Sequence, residues 1–559
     1  MFLKQYFAII GWLADYRAAT FRQDALAALV VTVMLVPQSL AYALLAGVPP
    51  QVGLYASIVP IMFYALFGSS RSLAVGPVAV IALMTAASAS ALAPPDSAEY
   101  THIVLVLALL SGLMLMLMGV LRLGFLANFL SHPVIAGFIS ASAILIILSQ
   151  VKHLLGIPLE GGTLLPMLSS LFQQLPNSHG LTSLIGIGSI VLLVLARRAF
   201  PAGLRRFAPV LVVILTTALV AAFSWQQAGV ATVGAIPASL PPFTLPDLPW
   251  AMWQELWLPA LLIGLVGFAE SISIGQTLAA KHRENIQPNQ ELLGLGAANI
   301  AAAFSSGMPV TGGFSRSVLN DDAGAQTPLA GVFTALGILV VMLWFSPLLT
   351  YLPRATLAAT IIVAIVPLID RHVFVHSFRY NRADFAALVL TVLVTLFYSV
   401  EGGLIAGVAV SLALHLYRTG KPHIAILGRV GDSEHFRNVL RHSVRTHPDV
   451  ILMRVDESLY FPNVRYWENR VNQALADYPQ AHHLVLVCSA INHIDISALD
   501  SLYTVNQRLY DAGIVFHLAE VKGPVHDSLQ AIGFTQAIHG QIFVSTYAAW
   551  QQLIHPTRI

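Results

Sequence analysis

Arg316 lies in a stretch that otherwise reads as membrane-buried, directly after a Gly/Pro-broken segment, residues 305–314 (SSGMPVTGGF). A cation inside a bilayer costs roughly 2.5–3.5 kcal/mol on insertion scales, so such residues mark transport paths. The break points the same way, because non-helical backbone at membrane depth survives only where it is packed in protein or lines a cavity. A matching break, residues 69–78 (SSRSLAVGPV), occurs in the first half of the chain. Each holds a short extended-looking stretch (73–75 and 309–311), then Gly-Pro or Gly-Gly, then a helix-like run. Paired interruptions at corresponding positions are the sequence mark of a transporter site. The pattern predicts half-helices beginning near Pro77 and Phe314, each offering roughly +0.5 charge at its N-terminus, where anions bind. A plainer reading is that the glycines only permit close helix packing. The matched pair together with Arg316 favours an anion site.

Glu270 is the second intramembrane ion, in residues 258–279 (LPALLIGLVGFAESISIGQTLA), a run with no other charge. Apolar surroundings penalise an ionised carboxyl, which suits a proton carrier. Ser271, Ser273 and Thr277 lie nearby and offer sodium ligation as the alternative. The structural reading is a stabilising pair with Arg316. Two helix ends plus Arg316 supply about +2. That field matches a dianion when Glu270 is protonated and a monoanion when it is ionised. Protonation of Glu270 is therefore expected to accompany binding of a divalent oxyanion. Gln38 and Tyr42 follow Pro37, one turn apart, and share a helix face. They offer an amide and a ring to a small polar pocket, although Tyr42 alone reads as core. His132 and Asn299 read as hydrogen-bonded structural residues.

These residues need a membrane scaffold, and the composition supplies one. The chain has 559 residues, 57% hydrophobic and 10% charged, which excludes an ordinary soluble protein of this length. The net charge of +2 gives no sign of nucleic-acid binding. Apolar runs are read at 25–45, 52–68, 76–92, 103–121, 125–148, 181–196, 208–224, 256–279, 290–304, 314–322, 329–346, 355–369, 384–399 and 403–417. The breaks precede the third and tenth of these, the same ordinal position in two halves of opposite orientation. Basic residues (Arg17, Arg22, Arg71, Arg122, Arg197, Arg198, Arg205, Arg206, Lys281, Arg283, Arg371, Arg379, Arg382, Arg418, Lys421) fall mostly on one side. Asp96, Glu99, Asp247, Glu255 and Glu401 fall on the other. The asymmetry predicts both termini in the cytoplasm and about fourteen spans. The run at residues 6–14 is short and is followed by Asp15 and Arg17, so it reads as an interfacial helix over residues 1–20, not a signal peptide.

Residues 421–559 hold 11 Lys/Arg and 12 Asp/Glu, against 29 and 27 in the whole chain. The expected division is a cytoplasmic N-terminal segment 1–24, a transport domain 25–420 and a water-soluble domain 421–559. In that tail, 451–455, 484–487 and 514–521 read as strands, and 463–478, 497–512 and 523–533 as helices. Such alternation suggests a sheet covered by helices. Cys488, the one cysteine, reads as a buried thiol. Ser497 reads as a helix N-cap, and His482/His483 as a solvated pair. No metal-ligand spacing, nucleophile triad or cofactor signature is visible, so neither an enzyme nor a cofactor or metal is expected.

Four segments carry a family resemblance: PQSLAYALLAGVPPQVGLYASIVP at 37–60, LAVGPVAVIALM at 73–84, GFAESISIGQTLAAK at 267–281 and GGFSRSVLNDDAGAQTPLAG at 312–331. In this order they resemble the SulP family of anion transporters, and the tail, with INHIDISALDSL at 491–502, resembles a STAS domain. The resemblance implies an α-helical polytopic fold of fourteen spans. These form a seven-plus-seven inverted repeat with uracil-transporter-like core and gate domains, followed by an α/β STAS domain. It implies a substrate site made by Gln38, Tyr42, Val78, Ala79, Phe314, Ser315 and Arg316, with Glu270 as the proton-coupling residue. It further implies a homodimer in the plasma (inner) membrane. In the bacterial regulators the tail resembles, the position of Ser497 can be phosphorylated. The expected activity is proton-coupled sulfate symport by alternating access. Sodium-driven bicarbonate uptake, proton-driven dicarboxylate uptake and an uncoupled anion channel are the competing readings.

Overall fold

The computed structural model describes residues 9–13, 16–95, 97–129, 131–201, 205 and 207–555. The expected helix over residues 1–20 falls partly outside these; Ile9–Leu13 is helical. Asp96 and Arg206, used above to orient the chain, also lie outside the described residues.

The apolar runs fold as helices, which internally satisfy every backbone group that lipid cannot. The first half contains α1 (Ala18–Leu45), α2 (Pro50–Phe67), α3 (Ala79–Ser90), α4 (Ala98–Val120), α5 (His132–Leu155), α6 (Gly180–Ala199) and α7 (Ala208–Ala222). The second contains α8 (Trp250–His282), α9 (Pro288–Phe304), α10 (Phe314–Asp322), α11 (Leu329–Trp344), α12 (Arg354–Ile365), α13 (Arg382–Phe397) and α14 (Val400–Gly420). Two packing groups result. Helices α1, α2, α4, α8, α9 and α11 form one, tightest between α4 and α9; α5, α6, α12 and α13 form the other. Fully buried Leu40, Leu54, Ile103, Phe138 and Phe268 belong to one continuous core.

Most expected spans are found within a few residues, but α5 starts at His132 where 125 was expected. Leu123–Phe129 instead forms a 3-10 turn after Arg122, whose φ of 59° ends α4. Pro133 then suits the first turn of a helix, where its missing N–H costs nothing. His132 is correspondingly an exposed residue at the head of α5, without the hydrogen-bonded structural role expected of it. Two amphipathic helices, Leu164–Gln174 and Arg371–Tyr380, were not expected.

The tail holds a six-stranded sheet. Its strands are β3 (Ile424–Arg429), β4 (Phe436–Asn438), β5 (Val450–Val455), β6 (His483–Val487), β7 (Val515–Ala519) and β8 (Ile542–Phe543), in the order β4-β3-β5-β6-β7-β8. Strands β5 to β8 run parallel, joined by the helices α15 (Val464–Asp477), α16 (Ile496–Asp511) and α17 (Gly523–Ala531). Parallel neighbours require such crossovers. Cores lie on both faces, one around Trp467, Phe516 and Phe534, the other around Phe436 and Trp550. Cys488 is buried as expected. Two readings are corrected. Asp495, not Ser497, caps α16: its Oδ1 accepts from the Ala498 N–H (2.8 Å), which leaves Ser497 exposed inside the first turn. His483 is half-buried against His517 and not solvated like its neighbour.

Candidate functional site

Two residues from each break pair across the chain. The strands β1 (Val75–Gly76) and β2 (Thr311–Gly312) form an antiparallel ribbon with Val75 opposite Gly312 and Gly76 opposite Thr311. Each strand leads at once into a helix, β1 into α3 and β2 into α10. The antiparallel register sends those helices away in opposite senses, with both N-termini at the ribbon. Their N-cap positions, Val78 and Gly313, are extended, and neither supplies a side-chain cap. The first N–H groups of a helix have no partner within it, so the ribbon gathers two sets of donors and two positive dipole ends at one place.

The ribbon is held by side chains of three helices. On α8, Ser271 Oγ accepts from the Gly312 N–H (2.8 Å) and meets the Thr311 hydroxyl (2.7 Å), which itself donates to the Gly267 carbonyl (2.6 Å). On α10, Ser317 Oγ accepts from the Ala74 N–H (2.9 Å), and Asn320 donates to the Ser72 carbonyl (3.1 Å). On α9, Asn299 brackets Val310, accepting from its N–H and donating to its carbonyl, both at 2.9 Å. Asn299 is thus the hydrogen-bonded structural residue expected.

Arg316 occupies the first turn of α10 and is buried. Its Nη1 donates to the Pro77 carbonyl at the head of α3 (2.7 Å), while Nε and Nη2 have no hydrogen-bond partner. The guanidinium lies against two glycines. A Cβ on Gly313 would come within 2.7 Å of Nη2, and one on Gly76 within 3.1 Å of Nη1. Glu270 lies on α8 one residue before Ser271, with Oε2 buried and unpartnered. Among the described residues no Glu270–Arg316 ion pair forms, although Tyr42, Glu270 and Arg316 are close enough to interact electrostatically. A buried cation with two free donors and a buried carboxyl with a free oxygen are each costly.

The other expected residues are distributed around this point. Ala79 is buried at the start of α3, and Val78 is half-buried before it. Phe314 and Ser315 are exposed at the start of α10, Phe314 by 53%, so they face open space while Arg316 turns inward. Gln38 and Tyr42 are half-buried on α1, past Pro37, and line a cavity of about 40 Å³ with Thr360 of α12 and Arg197 of α6. Arg197 had been read only as a marker of membrane side. Ser271, Ser273 and Thr277 do not converge: Ser271 is engaged with β2, and the Thr277 hydroxyl donates back to the Ser273 carbonyl (2.8 Å). Glu291 was missed altogether. It stands at the edge of the run 290–304, where an acid is unremarkable.

Comparison with known proteins identifies the family. Residues 21–391 match the sulfate permease family, and residues 441–549 match the STAS domain. The sulfate transporter 4.1, chloroplastic, of Arabidopsis thaliana is 34% identical over 555 residues, which is 96% of this chain and 81% of that protein. A probable sulfate transporter of Mycobacterium tuberculosis (strain CDC 1551 / Oshkosh) is 34% identical over 540 residues, 96% of each chain. The murine solute carrier 26 family member A9 anion transporter, solved in an inward-facing state, superposes with a TM-score of 0.90 at 24% identity, covering 99% of this chain and 95% of that one. The fold is therefore that transporter's fold followed by a STAS domain, and the chain belongs to the sulfate permease family.

Proposed function

We propose that this protein is a secondary active transporter of a small inorganic anion, a proton-coupled sulfate symporter working by alternating access. The observation that carries the reading is Arg316, buried at two uncapped half-helix N-termini with Nε and Nη2 unpartnered. The relatives named as sulfate transporters support sulfate as the anion. In this mechanism the anion sits on the N–H groups that follow Val78 and Gly313, takes the free donors of Arg316, and is flanked by Gln38, Tyr42, Ala79, Phe314 and Ser315. Glu270 binds the coupled proton on its free Oε2. Neutralising that carboxyl leaves a local field of about +2, suited to a dianion. No covalent step is needed. Transport requires only that anion and proton together stabilise the two access states differently from the empty site.

Protons are favoured over sodium because Ser271 is already committed to the ribbon and Thr277 to its own helix. The working boundaries are a cytoplasmic segment 1–24, a transport domain 25–420 and a regulatory or dimer-forming STAS domain 421–559. The protein is assigned to the plasma (inner) membrane, with both termini cytoplasmic. The test is uptake into proteoliposomes of labelled sulfate, bicarbonate and fumarate under separate proton and sodium gradients. Saturable sulfate uptake driven by an inward proton gradient is expected. Sodium-driven bicarbonate uptake, proton-driven fumarate uptake, or conductance indifferent to either gradient would each replace this reading with another. A Glu270→Gln protein that kept the full pH dependence of sulfate uptake would remove the coupling role.

A further inference from the structure

Both arms of the ribbon are fastened at their base to α9, and one of the two fastenings is a carboxylate without a cation. Glu291, in the first turn of α9, is 1% exposed. Its Oε1 accepts from the Ser69 N–H (2.8 Å), the Ser69 hydroxyl (2.7 Å) and the Ser70 N–H (2.9 Å), and its Oε2 accepts from the Tyr64 hydroxyl (2.8 Å). Among the described residues Glu291 forms no ion pair. Ser69 and Ser70 open the arm that runs through β1 to α3. Two turns further along α9, Asn299 holds Val310, which opens the arm through β2 to α10. The helix beneath them has little freedom to slide. A Cβ on Gly296 would meet the Met116 N at 2.8 Å, and one on Gly112 would meet the Ile300 N at 2.7 Å, so α9 and α4 touch backbone to backbone.

We propose that Glu291 is a positioning residue for anion binding: together with Asn299 it fixes, from a single helix, the origins of the two arms whose ends form the site. The role rests on the anion-site reading given above. An ionised carboxylate is acceptor-only, and four donors converge on this one. An amide in its place would aim its own N–H groups at donors, so Glu291→Gln misdirects the arm while preserving size. An arm displaced at its base carries the N–H groups of α3 away from those of α10, and preorganised binding groups tolerate displacements of only about 0.5 Å.

The test is full-length protein in proteoliposomes, with uptake normalised to inserted protein, for Glu291→Gln, Ser69→Ala and Tyr64→Phe. Glu291→Gln raises the apparent KM for the transported anion about tenfold, as expected for losing charge-assisted hydrogen bonds, with Vmax changed by less than about twofold. Its pH profile stays parallel to wild type. Ser69→Ala and Tyr64→Phe, which keep the carboxylate, raise KM by about threefold. A lower Vmax at unchanged KM would show scaffolding alone and overturn the role, as would a shifted pH profile, which belongs to a coupling carboxyl. Should Glu291→Gln fail to insert, the two milder variants decide on the same KM criterion. A wild type that takes up none of the panel anions overturns the transport reading and this role with it; a wild type that transports beside variants of unaltered KM overturns this role alone.

Discussion

Arg316 donates one of its five N–H groups to Pro77 and holds others idle in a buried place. Unpaired buried donors cost about 1–3 kcal/mol each, a cost that the proposed oxyanion would recover. Arg316→Ala is therefore expected to weaken anion uptake by at least about a hundredfold in uptake efficiency, against about tenfold for Arg316→Lys, which keeps the charge and loses the fork. Initial uptake rates across substrate concentration measure both; equal losses would deny the fork its part. Gly313→Ala drives a methyl toward Nη2 and should raise KM with the fold intact. Arg316 and Glu270 were legible because a charge in an apolar run has few innocent explanations. Glu291 was not, since it stands near a span edge where acids are common, and only the fold buries it. Capping was misassigned because Asp495 and Ser497 are both capping types two residues apart, and backbone geometry alone chooses between them. Cys488, its thiol pushed up to about 12 by burial, is expected to resist iodoacetamide at neutral pH until the chain is unfolded, as mass spectrometry would report.

Length decides what α3 and α10 can be. With 12 and 9 residues they reach roughly 18 Å and 13 Å, short of the roughly 30 Å hydrocarbon core. Each depends on a ribbon strand to complete its path, which the paired Gly/Pro breaks announced in the sequence. Helix α3 also meets α14 through a side-chain contact: the Ser88 hydroxyl donates to Glu401 Oε1 (2.9 Å). Removing it by Glu401→Ala should favour the arrangement in which these helix ends separate, by up to about tenfold in population. Spin labels on α3 and α14 would register a longer-distance component; an unchanged distribution would show the contact to be incidental. The amphipathic helices Leu164–Gln174 and Arg371–Tyr380 escaped notice because a search for continuous apolar runs passes over mixed ones. Strands β3, β4 and β8 escaped because two or three residues, or a run interrupted by glycine, carry too little alternation to count.

The chain divides into two compact units, Met1–Ser411 and Leu412–Ile559, and each answers to different conditions. In the second unit His517 Nδ1 accepts from the Gln541 N–H (3.0 Å), so its Nε2 carries the proton and donates to His483 (3.1 Å). Burial, with His483 adding to it, holds His517 down to about 4 from the ordinary 6.5. The unfolded state then binds the extra proton first. The stabilisation is complete above about pH 6.5 and is lost as pH falls toward about 4. The calorimetric transition of the tail should move to lower temperature across that window, and a His517→Phe chain should lose most of the slope. The helix–strand alternation of the tail and the inverted pairing of the two halves were readable from the sequence. The closure of the ribbon was not, because nothing local says that Val75 meets Gly312.

That long-range closure has a biosynthetic consequence. When a ribosome has delivered only the first seven helices, strand β1 has an open edge, and the pocket does not yet exist. It comes into being when the tenth helix arrives and zips onto it. If the proposed site is the anion's, its affinity is a late event in the life of the nascent chain, and two separately expressed halves would have to find each other before either could hold a solute.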